Sequence, residues 1–449
     1  MTLRLAVVLA LVPLAVHAQP ARLGLADALA RADQRGYANR GATAGADAAR
    51  ANTLLPLKGI LPTARVEAGY LRTTDPIGAF GTALRQRRIA QADFDPARLN
   101  FPAAVGNHAA ALVIEQPIFN ADAWVGRRAT TRAADASIEV AAWSRGQTAA
   151  QVIRAWYGAV LAGAKADALG TALQSATAHV RQAQSMERNG LVTPSDAMLA
   201  SVRAGEVEVM HLEAVAATRL ARAGLATAIG TPEDTTFALP ATLPSSQRLR
   251  EIAEQVMAMG TTERADVRAA RTGAAAAAAD NERARALILP RVNSFARLDW
   301  NSPDLPFGGR NNWTVGLMAS WSPFSGASEL AERRATSSRA SAARAMQDGA
   351  MAQAALEEAQ SRSAVEVAMA RLAIAERGVA QAVDAHRIVG RKYEGGLAAI
   401  TELLDASTTE VQARLAEAAA RYAVITALTD RLQATGNAPA WLSRLDTLP

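Results

Sequence analysis

Proline is missing from two long stretches of this 449-residue chain, residues 118–193 and residues 324–438. Proline breaks a helix because it lacks a backbone N–H and clashes with the preceding turn, so long proline-free stretches allow long helices. These two gaps and a third between Pro244 and Pro290 predict six helices, at about 22–60, 120–189, 194–230, 250–289, 325–394 and 397–435. A helix of about 70 residues is about 105 Å long and needs helices packed beside it for stability.

Composition favours the same architecture. Half of the residues are hydrophobic but only 4% are aromatic, and alanine, the best helix former, supplies much of the difference. Apolar residues recur every seven positions in the last predicted helix, as in a coiled coil: Leu397, Leu404, Val411, Ala418, Ile425 and Leu432. The absence of cysteine excludes a disulfide scaffold and a lipid-bearing cysteine. The formal charge of +6 is spread along the chain, which argues against a nucleic-acid surface.

The chain contains two copies of one unit. Gly190–Asp196 aligns with Gly396–Glu402 at an offset of 206 residues, and the first copy carries about 23 extra residues before Phe119. A repeat of this length indicates a duplicated domain. The predicted organisation is a signal peptide at 1–18, a first repeat at 19–230 with a hairpin at about 62–118, a linker at 231–249, a second repeat at 250–436 with a hairpin at about 290–323, and a tail at 437–449.

Four segments between the long helices have the character of β-strands: residues 63–72, 107–116, 292–300 and 311–321. Apolar and polar residues alternate from Trp313 to Trp321, which is typical of a membrane strand with one face on lipid. Four aromatic residues lie near strand ends, where an aromatic girdle belongs: Tyr70, Trp300, Trp313 and Trp321. Two surface hairpins of a soluble protein are the alternative.

Four strands cannot close a membrane barrel, because such barrels begin at about eight strands. An open sheet in lipid would leave its edge N–H and C=O groups unpaired, at a cost of several kcal/mol each. If these strands span a membrane, several chains must share the barrel, so the count predicts an oligomer.

Residues 1–18 are typical of a secretory signal peptide. Arg4 precedes an apolar run from Leu5 to Val16, and small residues at Val16 and Ala18 predict cleavage after Ala18. The run is shorter than the roughly 20 residues of a spanning helix. We therefore expect an exported protein.

The features follow one order: signal peptide, helix, Leu-Pro with a hairpin, Gln116–Phe119, long helix, Gly190–Asp196 and helix, then a second copy ending with Tyr393–Ala406. In this order and these residues the chain resembles the TolC-like outer-membrane efflux protein family over nearly all of its mature length. The resemblance implies a mainly α fold with a β-barrel part, in which a homotrimer shares a 12-stranded outer-membrane β-barrel continuous with a periplasmic α-helical barrel.

The resemblance also implies a function and partners. The chain would be the exit duct of a tripartite efflux pump in the outer membrane of a Gram-negative bacterium, extending into the periplasm and conducting substrates passively. Its partners would be a periplasmic adaptor (membrane fusion) protein, an inner-membrane transporter of RND or ABC type, and outer-membrane lipid or lipopolysaccharide. A soluble periplasmic helical scaffold or adaptor is the alternative function.

Residues of two helical turns match functional positions of that family. The periplasmic gate would comprise Asp196, Tyr393, Glu402 and Asp405, whereas the adaptor-docking turns would comprise Gly190, Leu191, Val192, Gly396 and Leu397. Ala398 stands where the best-known member has an arginine, so an ion pair of that gate is missing here.

Each of these residues also has a purely structural interpretation. Thr193-Pro194-Ser195-Asp196 is a helix start with a capping box, and both glycines suit helix ends. Glu402 and Asp405 suit a solvated helix face as well as a pore, and Tyr393 could simply pack the turn. The insert, with Arg85, Arg87 and Arg88, is expected outside the cell, where it would be a solvated loop or contact lipopolysaccharide.

No catalytic motif is present. The sequence lacks a phosphate-binding Gly-Lys-Ser/Thr loop, His-Glu-x-x-His and Gly-x-Ser-x-Gly, and its five histidines are scattered. We therefore expect neither an enzyme nor a metal or cofactor site.

Overall fold

A computed structural model describes residues 23–232 and 237–437. The signal peptide expected at 1–18 and all but the first residue of the tail expected at 437–449 lie outside these described residues. None of the helices in the described ranges combines the length and the apolar content that crossing a membrane requires.

The described residues form helices and one sheet. The α-helices are α1 (Leu25–Arg35), α2 (Tyr37–Asn52), α3 (Pro76–Arg85), α4 (Pro96–Asn100), α5 (Ala121–Arg188), α6 (Pro194–Ala228), α7 (Ser246–Ala258), α8 (Ala265–Ala286), α9 (Ser328–Glu394) and α10 (Ile400–Ala434). The strands are β1 (Thr63–Thr73), β2 (Val105–Phe119), β3 (Arg291–Ser302) and β4 (Asn311–Ser320). Two 3₁₀ helices lie at Leu55–Gly59 and Gln91–Phe94.

The four helices that flank the two long-helix turns confirm the prediction from the proline gaps. Helices α5 and α9 contain 68 and 67 residues, and α6 and α10 contain 35 residues each. The four predicted strands are also present, each within three residues of its expected ends.

The prediction of single helices at 22–60 and 250–289 is wrong, because each region holds two helices. Gly36 ends α1, and a Cβ at this position would lie 2.4 Å from the carbonyl oxygen of Ala32, so the bend requires glycine. The second break follows α7, where the backbone turns extended at Met259. Thr262 then donates its N–H to the Thr435 carbonyl at 2.9 Å, which holds this segment against the end of α10.

The chain divides into two compact units. The first comprises the described residues up to 41, residues 142–264 and the described residues from 354 onward. Its core is apolar and joins parts of α1, α5, α6, α7, α9 and α10, with fully buried side chains such as Val152, Leu225, Leu249, Leu372 and Val424. A second apolar cluster packs the two turns between the long helices.

The second unit comprises residues 42–141 and 265–353 and contains the sheet. All neighbouring strands are antiparallel, in the order β1-β2-β3-β4. Within the described residues, β1 and β4 each pair on one side only, so the sheet has two free edges. The β1–β2 connection spans 31 residues and includes α3 and α4, whereas the β3–β4 connection spans eight residues. The difference of 23 residues equals the predicted excess in the first copy.

Candidate functional site

The turns between the long helices have the same backbone geometry. Gly190 and Gly396 end α5 and α9 with φ of 74° and 72°. Leu191 N–H bonds the Met186 carbonyl at 2.9 Å, and Leu397 N–H bonds the Lys392 carbonyl at 2.8 Å. This is the Schellman arrangement, in which a left-handed glycine lets the chain satisfy the last carbonyls of a helix. The interpretation of both glycines as helix ends is confirmed.

Asp196 belongs to a capping box at the start of α6. Its carboxylate accepts the Thr193 N–H at 2.9 Å and the Thr193 hydroxyl at 2.8 Å, while its own N–H reaches the Thr193 hydroxyl at 3.3 Å. These bonds from Thr193 to the charged form lower the pKa of Asp196. The capping interpretation is therefore confirmed.

Tyr393, near the end of α9, is buried in the apolar cluster of the turns. Its neighbours there are Ala183, Ala197, Ala200, Ile400, Leu403 and Leu404. Its hydroxyl makes no hydrogen bond to any described residue. Burial first, and the nearby Asp196 carboxylate second, raise the pKa of Tyr393. Asp196 and Tyr393 thus lie within electrostatic range but share no hydrogen bond within one chain.

Glu402 and Asp405 lie in the first two turns of α10, and both are exposed. Neither forms an ion pair with a described residue. Asp405 lies close enough to Arg203 of α6 to raise the pKa of that guanidinium, although the hydrogen-bonded Glu206 raises it more. Arg203 is a charged neighbour that the sequence analysis missed, since its pairing with Glu206 three residues on is common on helix surfaces.

The tips of both turns present apolar side chains to solvent. Leu191 is 69% exposed and Leu397 is 82% exposed, whereas Val192 is half-buried. Ala398, which replaces the family's arginine, packs against the apolar cluster. Each turn therefore carries one exposed leucine at its tip.

The sheet has one apolar and one polar face. Residues paired across all four strands share a face, and Val66, Leu112, Leu298 and Trp313 form one apolar row. The next row is polar or small, with Glu67, Ala111, Asp299 and Asn312. On the polar face Arg297 bonds Asp299 at 2.7 Å and pairs with Glu67 at 3.4 Å.

The four predicted girdle residues lie at different heights of the apolar face. Tyr70 and Trp300 lie towards the end of the sheet that carries the β1–β2 and β3–β4 connections, and Trp313 is the third residue of β4. Trp321 follows β4 at the other end, where its indole N–H donates to the Ile288 carbonyl at 3.0 Å. Trp300 is half-buried against Phe307, whereas Tyr70, Trp313 and Trp321 are exposed.

No group of three His, Asp or Glu side chains in residues 23–232 and 237–437 is arranged to hold a metal ion.

This fold, with a small antiparallel sheet and long paired helices, is that of bacterial outer-membrane channels. The described chain superposes on VceC from Vibrio cholerae with a TM-score of 0.75 and 20% identity, over 92% of this chain and 96% of that one. It superposes on CmeC from Campylobacter jejuni with a TM-score of 0.76 and 15% identity, over 92% and 86%. For MtrE from Neisseria gonorrhoeae the TM-score is 0.72 and the identity 18%, over 92% and 89%.

Residues 242–437 match the sequence model of the family described as Outer membrane efflux protein, so the second half of the chain is similar to that family in sequence. No curated protein sequence matches the chain.

Proposed function

We propose that this protein is the outer-membrane channel of a tripartite efflux system and that it conducts substrates passively out of the cell. The observation that carries the proposal is the sheet, with one apolar face, one polar face and two free edges. In lipid such a sheet is stable only when every edge group is paired. A barrel shared among chains satisfies that requirement, with the apolar face on lipid and the polar face on water.

A homotrimer is the assembly that we infer. Three chains of four strands give 12 strands, an even number within the range of outer-membrane barrels. The equal lengths of α6 and α10, which are 206 residues apart at both ends, support a duplicated unit that would give each chain two equivalent helix pairs in a shared helical conduit. Exposed apolar side chains on α6, such as Met198 and Val202, would then lie between chains.

The two turns are the proposed contact with a periplasmic adaptor protein, which would link the channel to an inner-membrane transporter. Leu191 and Leu397 are exposed, and the Schellman bonds hold both turns in the same conformation. In a trimer, the two turns of each chain would place six exposed leucine side chains in one ring.

We propose that the same region contains the gate. The buried Tyr393 hydroxyl lacks a hydrogen-bond partner among the described residues, and the nearby Asp196 carboxylate is the acceptor that we propose for it in the closed gate. The exposed carboxylates of Glu402 and Asp405 would surround the pore, where their charge favours cations.

The assembly is tested by extracting the protein from membranes in detergent and inserting it into planar lipid bilayers. We expect a trimer that conducts ions without an energy source. A monomer that fractionates with soluble proteins and has no conductance would contradict the proposal and favour a soluble scaffold or adaptor.

The gate is tested with the double substitution Asp196→Ala and Tyr393→Phe, which should raise the conductance. Thr401→Ala, an exposed neighbour in the first turn of α10, serves as the matched control. Unchanged conductance would leave Asp196 with its capping role only.

Glu402→Ala with Asp405→Ala should lower cation selectivity, and an unchanged reversal potential would remove both residues from the pore.

A further inference from the structure

The long β1–β2 connection, residues 74–104, folds back onto the sheet. Helix α3 packs against β2 and buries Ala79 and Thr82. Just after α3, the Gln86 side-chain amide donates to the Gly106 carbonyl at 2.9 Å and to the Asn107 side chain at 3.0 Å. Arg87 reaches across to β4, where it bonds the Asn312 side chain at 3.4 Å. The connection is therefore anchored to both an inner and an edge strand.

The connection covers the polar face. Asn312 belongs to the polar row of Glu67, Ala111 and Asp299. Asn107 lies on the same face of β2, four positions from Ala111, and it is buried and bonds the Asn301 side chain at 2.8 Å. A cavity of about 860 Å³ separates the connection from the sheet, and its lining joins Arg85 and Leu84 of α3 to Glu67, Arg297 and Asp299. Arg85 thus faces the charged centre of that face.

The acidic side chains of the connection have local structural roles, whereas the side chains of Arg85 and Arg88 form no hydrogen bond or ion pair with the described residues. Asp75 caps α3 through the Gly78 N–H at 2.6 Å, and Asp95 caps α4 through the Ala97 N–H at 3.0 Å. Asp93 accepts the Ala90 N–H at 2.8 Å. Arg85, Arg87 and Arg88 are all exposed. These caps make the connection an ordered element rather than a solvated loop.

The short β3–β4 connection behaves differently. Its Phe307 packs edge-on against Trp300, with ring centroids 5.5 Å apart, and Trp300 lies on the apolar side of the sheet. Of the two connections at this end of the sheet, the long one is therefore the one that occupies the polar side.

We propose that residues 74–104 form a constriction inside the outer mouth of the channel and that Arg85, with Arg87 and Arg88, makes this mouth favour anionic solutes. The inference rests on the proposed function, because the polar face lines the pore only if the strands form a shared barrel. Three copies then narrow the mouth, and their guanidinium groups attract anions and oppose cations. The arginines thus face the pore rather than lipopolysaccharide.

The direct test replaces residues 74–104 with the eight-residue connection 303–310 in the gate variant Asp196→Ala with Tyr393→Phe, so that the proposed gate does not dominate the resistance. Its single-channel conductance in planar bilayers is compared with that of the gate variant alone. We expect the conductance to rise about twofold or more, since the narrowest part of a pore dominates its resistance. We expect the reversal potential to shift towards cations. The milder substitution Arg85→Gln should shift the reversal potential towards cations with little change in conductance. Arg310→Gln, in the short connection, should shift the reversal potential less. Equal shifts of the reversal potential, or a shortened connection that leaves the conductance of the gate variant unchanged, overturn the inference.

A second test does not depend on the shortened variant folding. The chain has no cysteine, so Ile77→Cys on α3 and Leu305→Cys in the short connection each provide one reactive site. Both side chains are exposed. A bulky polyethylene glycol maleimide should lower the conductance of Ile77→Cys and leave that of Leu305→Cys unchanged; equal effects overturn the inference. A wild-type protein that forms no conducting trimer would instead overturn the proposed function itself, and the constriction with it.

Discussion

The α5–α6 turn and the α9–α10 turn share one backbone but are stabilised by different interactions. Both contain a left-handed glycine and the same 6→1 hydrogen bond. At the first, Thr193 and Asp196 form a capping box, and the matching residue before α10 is Ala399, which offers no side-chain cap. At the second, Tyr393, Ile400 and Leu403 are buried. Both turns pack into one apolar cluster, but the first contributes small buried alanines and a polar cap, whereas the second contributes large buried side chains and has no side-chain cap.

The largest loss of stability should come from truncating a buried apolar side chain at the α9–α10 turn. Leu403→Ala removes a side chain that is 2% exposed, and large-to-small substitutions of this kind cost about 2–5 kcal/mol of unfolding free energy. Thr401→Ala, on the exposed side of the same turn, should change it by less than about 0.5 kcal/mol. Urea titration of the solubilised protein, followed by far-UV circular dichroism, measures both. Similar losses in the two variants would show that α10 is not held by packing.

Removing the polar cap should have a smaller effect. Thr193→Ala deletes the N-cap hydroxyl of α6 and should cost about 1 kcal/mol. Thr193→Ser keeps the hydroxyl and should retain most of the stability. The same titration, combined with amide hydrogen exchange of the first turn of α6, separates the two variants. If Ser and Ala were equally destabilising, the hydroxyl would not be the stabilising group.

Adding a cap to the second turn should stabilise α10. The backbone of Ala399, with φ −76° and ψ 156°, nearly equals that of Thr193, with φ −82° and ψ 156°. Ala399→Thr should therefore cap α10, with Glu402 in the position that Asp196 occupies in α6, and gain about 0.5–1 kcal/mol. Ala399→Val has the same shape without the hydroxyl and should show no gain. Slower amide exchange at the start of α10 in the Thr variant alone is the expected signature.

Acidification should have the smallest effect and should act on the first turn alone. Because the pKa of Asp196 is lowered by folding, its cap stabilises α6 above the ordinary aspartate pKa of 3.8 and loses this contribution as the pH falls through the lower folded value. The stability difference between wild type and Asp196→Asn should be constant near neutral pH and shrink below about pH 3.8. A difference that stayed unchanged down to pH 2 would mean that the charge of Asp196 does not contribute.

The sequence predicts the helix turns and strands well because local chemistry determines them. Pro194 and Thr193 mark the start of α6, Gly190 and Gly396 mark helix ends, and the alternation from Trp313 onwards marks β4. The breaks after α1 and α7 were missed because neither Gly36 nor Gly260 stands out in an alanine-rich helical pattern.

The parts of the site that depend on tertiary packing were not predictable. Nothing local indicates that the Tyr393 hydroxyl is buried without a partner in its own chain, or that Arg203 lies near Asp405 on another helix. The same holds for the insert. Arg85 was recognised as part of a polar loop, but its position over Glu67 and Asp299 depends on how α3 packs against β2.

The central claim is that the free edges of β1 and β4 pair between chains, and disulfide cross-linking tests it most directly. The chain has no cysteine, so a panel of variants can carry one cysteine in β1, at Arg65, Glu67 or Gly69, and one in β4, at Asn312, Thr314 or Met318. After oxidation in membranes, we expect some pairs to give disulfide-linked dimers and trimers on non-reducing gels. Monomers alone across the whole panel, in a protein that fractionates as soluble, would contradict the shared barrel.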